Sequence, residues 1–225
     1  MDDDELKAPE GTKADTAHAV ARAGLSAIPL VGGAAAELFS AVVQPPLEKR
    51  RAAWRNSVGE KLKELESAGL SLEALRENEA FISTVMHASQ LALKTHREEK
   101  LTMLRNVIAN AALGQSPEEA IENMFLGFID SLSDLHIRIL RVFQAPQAPA
   151  NMSMGGLSHV LELNLPELKN RRELYDQLWK DLYSRGLVNT DGLHMTMSGT
   201  GLSQKRTTGL GDDFLKFITG PGNVT

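Results

Sequence analysis

From Leu47 to Val142 the apolar residues recur at spacings of three, four and seven, and that rhythm removes most folds open to a chain of 225 residues. On a helix such spacing gathers side chains into one stripe, whereas a half-buried strand needs strict alternation. Leu47, Trp54, Val58, Leu62 and Leu65 make the first stripe. Phe81, Ile82, Val85, Met86, Ala88, Ala92 and Leu93 make the second, and Leu101, Leu104, Val107, Ile108 and Ala111 the third. Ile121, Phe125, Phe128, Ile129 and Leu132 follow, then Leu135, Ile139 and Val142. Nothing between residues 14 and 143 reads as a strand, so this part of the chain is a helical bundle.

The helix ends carry their own signals. Pro45-Pro46 is expected to open a helix, because a proline at the first helical position lacks only an N–H that would have no partner. Gly69 is placed to cap its C-terminus, and Ser71 to start a short helix. Thr95 with Glu98, and Ser116 with Glu119 around Pro117, have capping-box spacing. Asn106 and Asn110 sit one turn apart beside Val107 and Ile108, where a polar pair between helices fixes register.

Upstream, the chain from Ala17 to Val43 is rich in Ala, Gly, Leu and Val, and Ala23 to Ala36 is uncharged. A membrane-spanning helix needs about 20 apolar residues, so this run is too short, and Pro29 with Gly32-Gly33 divides it into a helical hairpin. The hairpin either packs as core or is released to insert shallowly in a bilayer. Ile28, Leu30 and Val31 at its tip, with Lys49, Arg50, Arg51 and Arg55 behind it, are the candidate membrane or partner contact. A solvated helix face is the competing reading of those four cations.

Downstream, residues 144–151 read as a linker containing Pro146 and Pro149. Residues 152–219 form a second unit, and 220–225 a short tail. A helix from Arg172 to Arg185 is followed by an alternating stretch at Leu193, Met195 and Met197, a polar Gly-rich loop, and a last helix near Gly211 to Thr219. That order is winged-helix-like. The expected fold is therefore mainly α: a multi-helix bundle over 17–143 with a small C-terminal winged-helix-like α+β unit. Lys169, Arg171 and Arg172, with Lys205 and Arg206 in the wing, are the candidate contact residues of that unit.

Charge narrows the partners. The chain has 24 Lys+Arg and 29 Asp+Glu, and residues 1–16 alone carry a net of −4, the mark of a solvated acidic tail. No later block is basic enough for a phosphate backbone, and the candidate recognition helix mixes Glu173, Asp176 and Asp181 with its cations. Protein docking ranks ahead of nucleic acid on that ground. Trp54 and Trp179 on otherwise aliphatic faces point to self-association. The acidic opening lacks the basic n-region of a signal peptide and there is no Cys, which together fit a cytoplasmic protein, membrane-associated if the hairpin is released.

Signatures of chemistry fail one by one. Gly199-Thr200-Gly201 lacks the third glycine of a dinucleotide loop, and Lys205 lacks Walker spacing. A di-iron bundle needs Glu three residues before His, yet Thr84, Leu93 and Ser133 precede His87, His96 and His136. There is no cysteine nucleophile and no Gly-x-Ser-x-Gly elbow. No catalytic, cofactor or metal site is expected, and the chain reads as a non-enzymatic protein.

Leu104-Arg105-Asn106-Val107-Ile108-Ala109-Asn110-Ala111 resembles the core helix of the abortive-infection alpha family of bacterial proteins. Leu132-Ser133-Asp134-Leu135-His136-Ile137-Arg138-Ile139-Leu140 is similar to that family's next helix–turn–helix segment. The Gly/Ala-rich run into a basic helix, and the close on Thr208-Gly209 and an apolar helix, extend the likeness to roughly Ala17–Ile218. The resemblance implies a bacterial cytoplasmic protein connected with phage resistance and brings no catalytic residue. The acidic tail and the Gly/Thr-rich stretch from Ser198 to Gly211 depart from the family pattern.

Overall fold

Helical periodicity and end signals take physical form in a computed structural model that describes residues 33–148 and 152–221. The acidic tail, the hairpin up to residue 32, residues 149–151 of the expected linker and residues 222–225 lie outside the described residues. Ten α-helices and one small antiparallel sheet make the described architecture mainly helical. The chain divides into two compact units, residues 1–52 and 53–225.

Helix α1, Gly33–Ser67, overturns the expectation that Pro45-Pro46 starts a helix, because it runs through both prolines. Two missing N–H donors leave the carbonyls of Ala41 and Val42 without their helical partners. Residues 41–46 are exposed, so water can take those bonds. The helix ends as the sequence implies. Gly69 has φ 104°, its N–H donates to Glu66 at 2.9 Å, and Leu70 N–H donates to Leu65 at 3.0 Å, which is a Schellman close.

Short α2, Leu72–Arg76, leads to α3, Glu79–Lys94, whose N-terminus is capped by the Asn78 side chain accepting from Phe81 N–H at 3.0 Å. Helix α4, Glu98–Ala112, packs along α3. Helix α5, Glu119–Ser131, begins later than the Ser116 capping box implies: Glu118 is its N-cap residue and the Ser116 hydroxyl is buried without a partner. Helix α6, Asp134–Gln144, follows after one tight turn.

Beyond it, strand β1, Met154–Gly155, precedes α7, Leu157–Asn164, a 3-10 turn at Pro166–Leu168 and α8, Arg172–Ser184. Gly186 closes α8 in the same Schellman fashion, with φ 70°. The alternation at 193–198 yields only strand β2, Met197–Ser198, which pairs with β1. The expected Gly-rich loop begins instead with helix α9, Gly199–Leu202, because Ser198 accepts from Gly201 N–H at 3.2 Å and Leu202 is buried. Helix α10, Gly209–Ile218, ends the described fold.

One core serves residues 53–225. Trp54, Ile108, Phe125, Phe143, Trp179 and Phe214 belong to the same buried cluster, so the stretches on either side of 144–151 share their apolar interior. Phe125 meets Phe214 and Phe217 at ring-centroid distances of 5.3 and 5.4 Å. Phe143 meets Trp179 edge-on at 4.7 Å. Both tryptophans are buried and hydrogen-bonded, Trp54 to Ser89 and Trp179 to the Thr190 carbonyl, each at 2.9 Å. Their faces are core and are not available for the self-association that the sequence pattern suggested.

The last helix is held at both ends. At its start Thr208 accepts from Gly211 N–H at 3.0 Å and donates to the Gly186 carbonyl at 2.6 Å. Gly211 lies so close to Leu187 that a Cβ there would fall 2.3 Å from its carbonyl oxygen. At its end the carbonyls of Phe217, Ile218 and Thr219 have no further turn to accept from. Asn110 Nδ2 donates to Phe217 and Thr219 at 2.9 Å each, and Asn106 Nδ2 donates to Ile218 at 3.0 Å. The asparagine pair does fix register, by capping a helix distant in sequence. Asn110→Ala leaves two carbonyls unsatisfied beside a buried site and is expected to cost about 2–3 kcal/mol, against about 1 kcal/mol for Asn106→Ala. Urea unfolding midpoints check both; equal, negligible shifts would remove the capping role.

Candidate functional site

Helix α8 and the turn before it carry three of the sequence-derived contact residues, Lys169, Arg171 and Arg172, among mixed charges. Pro166 starts the 3-10 turn, buried Leu168 pins it, and Asn170 takes the left-handed conformation at φ 62° to redirect the chain. Tyr175, Leu178, Trp179 and Leu182 then bury one side of α8. The other side carries Arg172, Glu173, Asp176, Gln177, Lys180 and Asp181, exposed or half-buried.

Several of these groups pair locally. Arg172 Nε reaches Asp176 at 3.4 Å, and His194 Nε2 lies 2.7 Å from the other oxygen of the same carboxylate. Gln177 donates to Asp181 at 2.9 Å. Below the turn, Arg138 bridges to Glu167 at 2.5 Å. Burial raises the Tyr175 hydroxyl above its ordinary pKa, with the Glu162 and Asp176 charges adding to the effect.

Of the five expected contacts in this region, the structure leaves three outward. Lys169, Arg171 and Arg172 are exposed on the turn and the first residue of α8. Lys205 is bound to Asp212 at 2.5 Å. Burial pushes the Asp212 carboxyl up, but hydrogen bonds from Lys205 and Thr207, the Lys205 charge and a Gln144 contact outweigh it and hold the carboxyl below its ordinary range. Arg206 turns inward: its guanidinium donates to the Gly201 carbonyl at 2.5 Å and contacts Met197 Sδ at 3.2 Å, while its own N–H donates to Phe143 at 2.8 Å. Arg206 is therefore a brace between β2, α9 and α6, not a surface contact.

The first candidate set separates as well. Ile28, Leu30 and Val31 lie outside the described residues. Lys49, Arg50, Arg51 and Arg55 are all exposed on α1. They do not share a face, because at roughly 100° per residue Lys49 and Arg50 fall on one side and Arg51 and Arg55 on the other. Arg51 bonds to Glu48 at 2.7 Å on that second side. Among the described residues no helix is long and apolar enough to cross a membrane.

Two clefts adjoin the 113–118 turn, and neither has a signature in the sequence. One, about 490 Å³, is lined by Thr84, His87, Ser116 and Glu122 among others. Thr84 is buried and its hydroxyl contacts the Glu122 carboxylate across helices α3 and α5, a pairing with no local motif behind it. The other, about 730 Å³, lies between that turn and the end of α10, with Asn110 and Phe217 in its wall. Among the described residues no group of three His, Cys, Asp or Glu side chains is arranged to hold a metal ion.

His136 is a buried titratable group on α6 that faces α8. It sits three residues after Ser133, and its Nδ1 accepts from the Ser133 N–H at 3.0 Å, closing the first turn of α6. Its Nε2 lies 3.4 Å from Asp181 on α8. Burial lowers its pKa, opposed by the Asp181 hydrogen bond and charge and reinforced by Arg185 and Lys100. Comparison with protein-family models, with curated proteins and with solved structures returned no match.

A folded-state histidine below its ordinary pKa of about 6.5 binds fewer protons than the unfolded chain does. The stability it contributes is thus complete above that value and is lost as pH falls through it toward the lower folded value. His136→Gln keeps an acceptor for Ser133 N–H and removes the titration. The variant is expected to show a flatter decline of urea midpoint between neutral and mildly acidic pH than the parent chain; identical slopes would show that His136 does not titrate on unfolding.

Proposed function

We propose that the chain is a non-enzymatic interaction protein that acts through protein contacts, in the phage-defence setting implied by its resemblance to the abortive-infection alpha proteins. Its docking surface is a winged-helix-like unit. The succession of β1, α7, the 3-10 turn, α8, the Val188–Thr207 bridge and α10 supports that reading. So does the pairing of 187–189 with 206–208, where Asn189 N–H donates to Arg206 at 2.9 Å and Thr208 N–H to Leu187 at 3.1 Å.

The observation that carries the protein-contact reading is the charge pattern of α8. A groove-reading helix presents cations to a uniform row of phosphates. Here Asp176 accepts from Arg172 and lies against His194, Lys205 is neutralised by Asp212, and Arg206 points inward. Such a surface matches a partner that is itself mixed in sign, with exposed Lys169 and Arg171 placed to meet acidic side chains and Arg172 already shared with Asp176.

The test pairs a binding measurement with a capture. Titration of the full chain with mixed-sequence duplexes at low salt is expected to show no affinity tighter than micromolar, and a steep salt slope would reverse the assignment toward DNA. Capture from a bacterial host before and after phage challenge is expected to yield one protein that the Lys169→Glu/Arg171→Glu/Arg172→Glu variant fails to retain. A captured protein held equally by both forms would remove this surface from the function.

A further inference from the structure

We propose that the exposed face of α1 between Leu38 and Arg50 binds an anionic lipid surface, with the helix lying in the plane of the headgroups. This goes beyond the α8 docking reading and uses a different part of the chain. Four large apolar side chains stand in solvent within six residues: Leu38 is 68% exposed, Phe39 47%, Val42 70% and Val43 36%. Scattered single apolar residues are ordinary on a surface, but a contiguous row marks a place where something binds.

The row has a direction. At roughly 100° per residue, Leu38 and Val42 lie within about 40° of one another, and Phe39 and Val43 continue the arc on one side. Lys49 and Arg50 then fall inside the same arc, two to three turns further on. The acids Glu37 and Glu48 lie on the opposite side, where Glu48 holds Arg51 at 2.7 Å. The face that carries the apolar row therefore carries cations and no anion.

That distribution selects the occupant. An interfacial helix buries its apolar side chains among acyl chains, while Lys and Arg extend their stems along the apolar surface and place their heads among the phosphates. Anionic headgroups supply the charge that Lys49 and Arg50 lack on their own face. A second copy laid on the same face supplies none, since its matching residues are cations too. Trp54 and Val58, which the core of residues 53–225 takes up, lie about 120° or more around the helix from Leu38 and Val42.

Co-sedimentation of the full-length protein with vesicles of phosphatidylcholine plus phosphatidylglycerol, and of phosphatidylcholine alone, tests this. Binding is expected to the mixed vesicles, lost in Leu38→Asp/Val42→Asp and weakened at least about tenfold in Lys49→Glu/Arg50→Glu. Arg51→Glu/Arg55→Glu removes the same charge from the other side and is expected to weaken it much less. All six substitutions in the three variants are at exposed positions, and unchanged circular dichroism and melting confirm that the variants fold. No binding to either vesicle, equal weakening by the two charge pairs, or indifference to Leu38→Asp/Val42→Asp would overturn the proposal. So would light scattering that shows self-association abolished by Leu38→Asp/Val42→Asp without any vesicle binding, which would assign the face to a second copy. Each of these outcomes leaves the α8 reading untouched, because its capture variant is on another helix.

Discussion

The carboxamide of Asn110 closes the end of a helix that lies 107 positions further along the chain, and the C-terminal third is placed by that bond. A helix that stops inside a protein must find donors for its last carbonyls, because each one buried without a partner costs free energy. Asn110 and Asn106 are those donors. With α10 anchored on α4, Phe214 and Phe217 reach Phe125, and Gly211 comes against the Leu187 carbonyl. The turn after α8 then has one position open to it, and Thr208 bonds it there through the Gly186 carbonyl.

Much of this was legible in advance where the physics is local. Stripes at three and four spacing located α3 to α6 and α8, since burial of one face is what stabilises a helix of ordinary length. Gly69 read as a C-terminal cap because a left-handed residue is needed there. Asn106 and Asn110 were recognisable as an interhelical pair, although their partner, a helix end more than 100 residues away, has no local signature. Other features were hidden for identifiable reasons. Pro45 and Pro46 stop a helix only where the lost hydrogen bonds matter, and on an exposed surface they did not. The Gly199–Leu202 helix rests on one serine cap and one buried leucine, too short a stretch for periodicity to register. Arg206 looked like a wing cation; its inward turn depends on the Gly201 carbonyl and Met197, which only the folded chain brings to it.

Helix α1 shows why the apolar residues of one helix need not share one face. Its later turns give Trp54 and Val58 to the core, while its earlier turns hold Leu38 and Val42 in solvent at another angle. Averaged over its whole length the helix has no strong apolar side, because the two directions partly cancel. Read in halves, it has two. The same division sorts its cations: Arg51 answers an acid of its own helix, whereas Lys49 and Arg50 have no acid on their side of α1 between residues 37 and 51.

The shared interior also bears on how such a chain can be inherited. Residues around 144–151 have the composition at which genes are commonly recombined, and a C-terminal module that was self-sufficient could be exchanged there as a cassette. This one would arrive without Asn106 and Asn110 for its last helix and without Phe125 for its aromatic side chains. The recipient helix would in turn be left with a bared face. Variation on the outside of α8 can therefore come by substitution, whereas exchange of the whole C-terminal part would break these contacts, which keeps the two halves as one heritable unit.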